Sequence, residues 1–366
     1  MIQANRQEPE SHSEGMPIPQ TKKYVIGIAA EDSEYGKENI LEAVKLAKEK
    51  GCSCVLIEGE DSHKKMEAML KSGEIDGAVT MHYPFPIGVS TIGRIPTPGR
   101  GKEVYMASTT GTSDTDRVCG LVKNTVYGII AAKAGGVEDP SVGILNIDGA
   151  RQAEKALVRL KENGYEFRLA MSSRKNDDNV MRGNDLLTGS ADVMVMDSLT
   201  GNLMMKLLSA YTTGGSYESV GYGYGPGIGE NYDKLVMIVS RASGASVIAG
   251  AVEYAAKLLE NDWQKIAKAE FKKADQAGLK EILESCKAPG KGADAAKATA
   301  KAPQKEVVTA QIAGIEVMDL EDAVAALWQE GIYAESGMGC TGPIVLVNDA
   351  KLEQAREILE KAGYIS

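Results

Sequence analysis

The sequence contains few of the residues that build metal centres and disulfide frameworks. It has three histidines and five cysteines among 366 residues. The cysteines are odd in number and irregularly spaced, a pattern that argues against a disulfide framework. Cys52 and Cys54 enclose one residue rather than the two of common zinc pairs, and no second Cys/His pair accompanies them. We therefore predict neither disulfides nor a metal site.

Long apolar runs and an excess of positive charge are also missing. No stretch approaches the roughly 20 apolar residues of a membrane-spanning helix. The first 20 residues are polar and lack the apolar segment of a signal peptide. A formal net charge of −10 disfavours a nucleic-acid surface. We expect a cytoplasmic protein that binds neither membrane nor nucleic acid.

Composition divides the chain into four segments. Residues 1–21 have no apolar periodicity and are predicted to be a disordered tail, and residues 22–286 are predicted to form the main domain. Residues 287–305 are rich in Ala, Lys, Gly and Pro and poor in large apolar side chains, as linkers are. Residues 306–366 predict a small tethered α/β unit, with strand, helix, strand and helix at Val307–Ala313, Leu320–Gln329, Gly342–Val347 and Lys351–Ala362.

The main domain alternates short apolar stretches with amphipathic ones. Short apolar stretches bounded by polar residues indicate buried strands, and intervening helices place such strands in parallel. The alternation predicts an α/β fold with right-handed crossovers. Glycine-rich segments at Thr109–Ser113 and Gly214–Gly229 are predicted to be loops, where α/β sheets bind ligands. The predicted strands are Tyr24–Ala30, Cys54–Ile57, Gly77–Met81, Val142–Ile147, Phe167–Ala170, Asp192–Met196 and Leu235–Ser240.

The stretch from Ala191 to Lys206 predicts a strand, a polar turn and a helix. Ala191–Met196 is apolar and contains two valines, as suits a buried parallel strand. Asp197 and Ser198 end it, and Ser198 or Thr200 is suited to cap the following helix. The free N–H groups and the dipole of a helix N-terminus attract anions.

Three further positions would complete a phosphate site on this helix. Gly201 leaves room for a ligand to approach the main chain. Asn202 and Lys206 are four residues apart, so an amide donor and a cation share one helix face. The same stretch also fits an ordinary strand–turn–helix unit. In either case the apolar residues that are expected to pack on the sheet are Leu203, Met204, Leu207 and Leu208.

Cys340 lies in a segment of small residues just before a predicted strand. Its neighbours Gly339 and Thr341 leave the sulfur accessible, and main-chain N–H groups there would stabilise a thiolate or the oxyanion of a thioester adduct. The segment alone leaves a structural and a functional cysteine equally open. His82 and Arg241, each after a predicted strand, are further candidates for a cleft, although both also fit surface positions.

The Ala191–Lys206 stretch resembles the signature of the phosphate acyltransferases of phospholipid synthesis, Asp-Gly-Phe-x-Gly-Asn-x-x-x-Lys. Asp197, Gly201, Asn202 and Lys206 match it, while a serine and a leucine replace the first Gly and the Phe. The resemblance implies a three-layer α/β/α sandwich with a mostly parallel sheet, as in phosphate acyltransferases and isopropylmalate dehydrogenases. Further segments that resemble this family are Val142–Asp148, Arg182–Val193, Gly223–Gly229 and Ser240–Ala255.

Two further segments depart from the phosphate acyltransferase pattern. Arg241-Ala242 stands where that family has a His-Gly pair, and residues 30–32, Ala-Glu-Asp, replace a Gly-Gly-Asp. These departures affect the expected substrate rather than the expected fold.

The C-terminal segment Ile332–Val347 resembles the alpha subunits of component C of glycine/sarcosine/betaine reductase complexes. That resemblance extends from Lys22 to Ser366. It implies that Cys340 accepts an acetyl group as a thioester and that phosphate releases it as acetyl phosphate, without a cofactor. It also implies two partners: a condensing-enzyme-like beta subunit, and the selenoprotein component A as acyl donor. Component C is shared, so glycine, sarcosine and betaine all remain open.

Two other functions fit the same sequence. The chain is also suited to be a stand-alone phosphate acyl- or acetyltransferase that uses thioesters of acyl carrier protein or coenzyme A. A noncatalytic subunit whose tethered unit only docks a partner is a second alternative. Substitution of Cys340 by alanine separates the three, because only the thioester carrier requires that thiol.

Overall fold

The computed structural model describes residues 24–29, 32–59, 61–173, 179–287, 302–316, 319–339 and 342–365. The predicted tail and most of the predicted linker lie outside these residues. In the main domain the strands are β1 Val25–Ala29, β2 Ser53–Leu56, β3 Gly77–Thr80, β4 Val89–Pro96, β5 Glu103–Thr112, β6 Ser141–Leu145, β7 Arg168–Leu169, β8 Val180–Met181, β9 Val193–Val195, β10 Gly225–Ile228 and β11 Val236–Ile238. The helices are α1 Gly36–Glu49, α2 Ser62–Ser72, α3 Arg117–Ala134, α4 Ala150–Glu162, α5 Gly183–Thr188, α6 Ser198–Ala210, α7 Ala245–Glu260, α8 Trp263–Gln276 and α9 Leu279–Lys287.

One mixed sheet runs through the main domain in the order β2-β1-β3-β11-β10-β4-β5-β9-β6-β7, with β8 beside β6. Strands β2, β1, β3 and β11 are parallel to one another, and so are β5, β9, β6, β7 and β8. Between these groups, β10 and β4 pair in antiparallel fashion with their neighbours. The two parallel groups therefore run in opposite directions, and their carboxyl ends lie on opposite edges of the sheet.

Helices cover both faces of this sheet. The larger core cluster lies under α1, α3, α4, α7, α8 and α9. The opposite face is covered by α2, α5 and α6, whose buried side chains include Met66, Leu186 and Met205. This is the three-layer α/β/α sandwich with a mostly parallel sheet that the sequence predicted, and that prediction is confirmed.

The core differs from the sequence prediction in several places, and one of them is β10, Gly225–Ile228, which lies inside the predicted loop Gly214–Gly229. The segment Thr109–Ser113, predicted to be a glycine-rich loop, is mostly strand, because β5 continues to Thr112 and pairs with β4. Helix α3 was not predicted. Its side chains are buried on nearly every face, so it has no polar stripe from which a helical period can be read.

The described residues between 302 and 365 form a second folded unit with its own core. Three antiparallel strands, β12 Ala310–Ala313, β14 Gly342–Val347 and β13 Ala334–Gly339, pack against α10 Leu320–Gln329 and α11 Leu352–Lys361. The predicted strands and helices of this unit are present, but β13 was missed. Its sequence, Ala-Glu-Ser-Gly-Met-Gly, is too rich in small residues to predict a strand.

Cleavage of the chain between Lys287 and Lys305 is expected to leave two folded pieces. The buried apolar clusters of the two units share no side chain among the described residues. A fragment that ends at Lys287 should therefore unfold in one cooperative transition, with a melting temperature close to that of the main domain in the full chain. Calorimetry of the fragment and of the full chain measures this. A fragment without a cooperative transition would show that the C-terminal unit is part of the main core.

None of the helices in the described parts of the chain is both long and apolar enough to cross a membrane.

Candidate functional site

The turn between β9 and α6 begins the helix that the sequence singled out. Val193–Val195 is buried between two parallel neighbours, and the helix starts directly after Asp197. One carboxylate oxygen of Asp197 accepts the main-chain N–H of Thr200 at 2.9 Å, and the other accepts its hydroxyl at 2.7 Å. Asp197 is thus the cap of α6, a role for which the sequence had favoured Ser198 or Thr200.

Gly201 and Asn202 contact the sheet. A Cβ atom at Gly201 would overlap the carbonyl oxygen of Ser108, so glycine is needed here for α6 to approach β5. This contact explains the glycine without a ligand, and a role of Gly201 in phosphate binding stays a prediction. The side-chain amide of Asn202 donates to the carbonyl oxygen of Thr109 at 3.2 Å. Both residues hold the first turn of α6 in contact with β5.

The apolar face of α6 differs from the prediction. Met205 and Leu208 are buried, whereas Leu203 and Leu207 are each 56% exposed. Packing therefore uses the face that also carries Gly201, and Leu203 and Leu207 lie on the solvent side. The prediction that these two leucines pack on the sheet is wrong, because the close contact at Gly201 fixes which face of the helix meets β5.

A small open cleft of about 90 Å³ lies between the N-termini of α3 and α6. We call it the α3/α6 cleft. Its volume suits a phosphate-sized anion better than an acyl chain. The guanidinium of Arg117 is its cation and also pairs with the carboxylate of Asp148, which follows β6. The polar side chains that line it include Ser108, Thr112, Ser113, Arg117, Asp197 and Ser198.

The carboxylates at this cleft already have partners. Asp116 caps α3 by accepting the N–H of Cys119 at 2.9 Å. Asp114 pairs with Lys123 at 2.5 Å. Burial opposes ionisation of Asp114, but the hydrogen bonds from Lys123 and from the N–H of Asp116 outweigh it and hold the pKa of that carboxyl below its usual value. Each of these carboxylates is therefore already held by a hydrogen-bond donor of the protein.

Lys206 lies two turns along α6, away from the cleft. Its ammonium is 3.9 Å from a carboxylate oxygen of Glu218 and 5.5 Å from the centre of the Tyr224 ring. Glu218 is buried and accepts the hydroxyls of Tyr224 and Ser243, each at 2.8 Å. The structure therefore separates Lys206 from Asp197 and Ser198, and places it beside the loop that carries Ser243.

His82 and Arg241 lie after β3 and β11, on the edge opposite to the α3/α6 cleft. His82 is exposed, and its carbonyl oxygen accepts the hydroxyl of Thr80 at 3.3 Å. The side chain of Arg241 is 63% exposed, and its guanidinium is 4.0 Å from the carboxylate of Asp32. The structure does not bring either residue to the start of α6.

Four of the five cysteines are poorly suited to be nucleophiles. Burial raises the pKa of the thiols of Cys52, Cys54 and Cys286 above the usual value. It raises the pKa of Cys119 to about 12, and that thiol lies 3.3 Å from the carbonyl oxygen of Leu283. A thiol that stays protonated at neutral pH is a weak nucleophile.

Cys340, the fifth cysteine, and its neighbour Thr341 lie outside the described residues. The strands on either side are described, and Gly339 pairs with Gly342 at the end of β13 and β14. Within the described parts of the chain, no three His, Cys, Asp or Glu side chains come together as metal ligands.

The C-terminal unit contacts the main domain at α4. The carboxylate of Glu316 accepts the main-chain N–H groups of Gly149 and Arg151 at 3.0 and 2.6 Å. Helix α4 follows β6, which is parallel to β9, so this contact lies on the same edge of the sheet as the start of α6. Asp148, the partner of Arg117, directly precedes Gly149. The sequence predicted neither Arg117 nor Glu316, because no local pattern marks a residue that acts across the fold.

Comparison with known proteins places the chain in a family. A model of a family described as fatty acid synthesis protein matches residues 25–346. The glycine/sarcosine/betaine reductase complex component C subunit alpha of Peptoclostridium acidaminophilum is 54% identical over 360 residues, which cover 94% of this chain and 93% of that protein. The chain belongs to this family of component C alpha subunits. The predicted resemblance to that family is confirmed.

Matches to phosphate acyltransferases are shorter. The enzyme of Bacillus licheniformis is 26% identical over 49% of this chain and 58% of its own length. That of Gloeothece citriformis is 30% identical over 48% of this chain and 46% of its own length. The chain thus spans about half the length of these relatives.

Proposed function

We propose that this protein accepts an acetyl group as a thioester on Cys340 and transfers it to phosphate, releasing acetyl phosphate. It would act within an amino-acid or amine reductase complex, beside a condensing-enzyme-like beta subunit. The selenoprotein component A of that complex would supply the acetyl group. Membership of the component C alpha family and similarity to phosphate acyltransferases support this proposal.

One structural observation carries the proposal. The unit that contains β13 and β14 contacts the N-terminus of α4, one ion pair away from the α3/α6 cleft. Cys340 and Thr341 connect these two strands in the sequence. The protein therefore brings the unit with its candidate acyl carrier to the edge of the sheet that carries the candidate phosphate site.

The chemistry needs few groups. An oxygen of phosphate attacks the carbonyl carbon of the thioester, the C–S bond breaks, and the Cys340 thiolate leaves as acetyl phosphate forms. The protein has to orient two reactants and stabilise their negative charge. The hydroxyl of Ser198 and the guanidinium of Arg117 line the cleft and would bind phosphate there, beside the N-terminal dipole of α6.

Reaction with acetyl phosphate in reverse tests the proposal directly. The intact protein should gain one acetyl group that hydroxylamine removes, and peptide mapping should place it on Cys340. Mass spectrometry before and after hydroxylamine measures both. Acetyl on another cysteine, or an active complex that never carries acetyl, would contradict the proposal.

Paired substitutions of two cations will locate the phosphate. Arg117 lines the α3/α6 cleft, whereas Lys206, the cation that the sequence predicted, lies beside Glu218. If phosphate binds in the cleft, Arg117→Ala should lose a hydrogen bond to a charged group, worth about 1.5–3 kcal/mol, and should raise the KM for phosphate about 10- to 100-fold. Lys206→Ala should then change that KM by less than about threefold.

The measurement is the phosphate dependence of acetyl phosphate formation, with arsenate as an alternative acceptor. If Lys206→Ala raises the KM for phosphate more than Arg117→Ala does, phosphate binds beside Lys206, as the sequence predicted. The α3/α6 cleft would then have no part in the reaction.

A further inference from the structure

Glu316 occupies the N-terminus of α4 from the other unit of the chain. Both of its carboxylate oxygens accept main-chain N–H groups, from Gly149 at 3.0 Å and from Arg151 at 2.6 Å. The residue is only 9% exposed. The first N–H groups of a helix and its dipole both favour a negative charge at this point. A buried carboxylate with two such donors makes a specific contact, unlike a chance encounter of surface side chains.

Helix α4 has no cap of its own. It begins after Gly149, whose φ of 84° suits glycine and which has no side chain to offer. Aspartate or asparagine caps fill this role at α3, α6 and the helical turn before α11. At α4 the acceptor comes instead from a residue 167 positions away in the sequence. Glu316 thus supplies the side-chain acceptor at the N-terminus of α4 that Gly149 does not provide.

The Glu316 carboxylate moves with the C-terminal unit. The preceding residue, Ile315, is 3% exposed and belongs to the core formed by β12, β13, β14, α10 and α11. A displacement of that unit therefore withdraws the carboxylate from α4.

Among the described residues, two other hydrogen bonds join α4 to this unit, and both are exposed. The side-chain amide of Gln152 donates to Asp319 at 3.0 Å, and the ammonium of Lys155 donates to the carbonyl oxygen of Gly363 at 2.8 Å. Hydrogen bonds between exposed groups compete with water and contribute little. The two units also have separate apolar cores across the described residues. Among the described residues, Glu316 therefore makes the most buried hydrogen bonds between the two units, and docking should depend on it.

We propose that Glu316 is a positioning residue that docks the C-terminal unit reversibly on the N-terminus of α4. In the docked state it holds the unit that carries Cys340 beside the α3/α6 cleft, and in the undocked state the unit is free to meet an acyl donor. The role in acyl delivery rests on the proposed function, whereas the docking itself does not.

Hydrogen–deuterium exchange on the full chain tests the docking. Glu316→Ala should accelerate exchange of the peptide that contains Gly149 and Arg151 by about tenfold or more, since both N–H groups lose their acceptor. Glu316→Gln should also accelerate it, because an amide keeps only one acceptor oxygen for the two N–H groups. Glu357→Gln, the same change at an exposed glutamate of the same unit, should leave this peptide unchanged.

Unchanged protection in the rest of α4 and in β14 will show that both units remain folded. Equal exchange of the Gly149–Arg151 peptide in the wild type and in both Glu316 variants would overturn the proposal.

The rate of acetyl release from the protein tests the positioning. In the Glu316→Ala variant the single-turnover rate of transfer to phosphate should fall about tenfold or more, with the KM for phosphate unchanged, and Glu316→Asp should restore part of it. Faster exchange at Gly149 with an unchanged transfer rate would refute the delivery role. If Cys340 never carries acetyl, the proposed function fails, but the exchange result still decides whether Glu316 docks the unit.

Discussion

Cys340→Ser is expected to reduce acetyl phosphate formation by at least about a thousandfold. A serine hydroxyl is far less acidic than a thiol, so an oxygen ester would form slowly and would not be an activated acyl donor. The other four thiols do not replace it, because burial keeps them protonated. The measurement is the rate of acetyl phosphate formation in the reconstituted complex, with hydroxylamine-sensitive acetyl on the protein as a second readout.

Cys52→Ser is the matched control for this substitution. Cys52 lies between α1 and β2, is only half-buried and contacts the edge of the main core. Its replacement should leave the rate within about twofold of the wild type. A Cys340→Ser protein that retains wild-type turnover would exclude the covalent carrier. It would favour either direct transfer from thioesters of acyl carrier protein or coenzyme A, or a docking role alone.

Local pattern was sufficient to predict the outer strands of the sheet. Val25–Ala29, Gly77–Thr80 and Val193–Val195 are apolar segments bounded by polar turns, and each was predicted to within two residues of its ends. The centre of the sheet was not predicted. Strands β4, β5 and β10 each contain glycine together with threonine or proline, and β10 pairs with a strand distant in the sequence.

The candidate site, like the sheet, was predicted only in part. The sequence located the start of α6, because a strand, an acidic cap and a helix follow one another within a few residues. It assigned Gly201 and Asn202 to a ligand, although both serve the contact with β5. A glycine that admits a ligand and one that admits a neighbouring strand look identical in one sequence. Arg117 and Glu316 reach the site only through the fold.

Substitution of Asp185 is expected to reduce the stability of the protein strongly. This carboxylate is buried at 1% exposure near the start of α5, within one of the segments that resemble phosphate acyltransferases. It accepts five hydrogen bonds at 2.7–3.0 Å, from the main-chain N–H groups of Ser173 and Arg182 and from the hydroxyls of Ser172, Ser173 and Ser190. Asp185 thereby joins the segment after β7, β8 and α5.

Burial alone would oppose ionisation of Asp185, but these hydrogen bonds outweigh it and lower the pKa of the carboxyl below its usual value. Asp185→Asn removes the charge and replaces one acceptor oxygen by an NH2 group. That group cannot accept the hydrogen bonds that the oxygen accepted. It should lower the free energy of unfolding by about 3 kcal/mol at neutral pH. Urea denaturation measures this, and Asp139→Asn, at an exposed aspartate that pairs with Arg168, should change it by less than about 0.5 kcal/mol.

The pH dependence distinguishes loss of this charged network from a general defect. Because the folded protein lowers the pKa of Asp185, its contribution is complete above the pKa of an unfolded aspartate, about 3.9, and is lost as pH falls through the lower folded value. The difference in unfolding free energy between wild type and Asp185→Asn should thus be constant between about pH 5 and 7 and should narrow below about pH 4. If this difference in unfolding free energy increased in acid, the aspartate would be protonated in the native protein. In that case the five donors would not be stabilising a carboxylate.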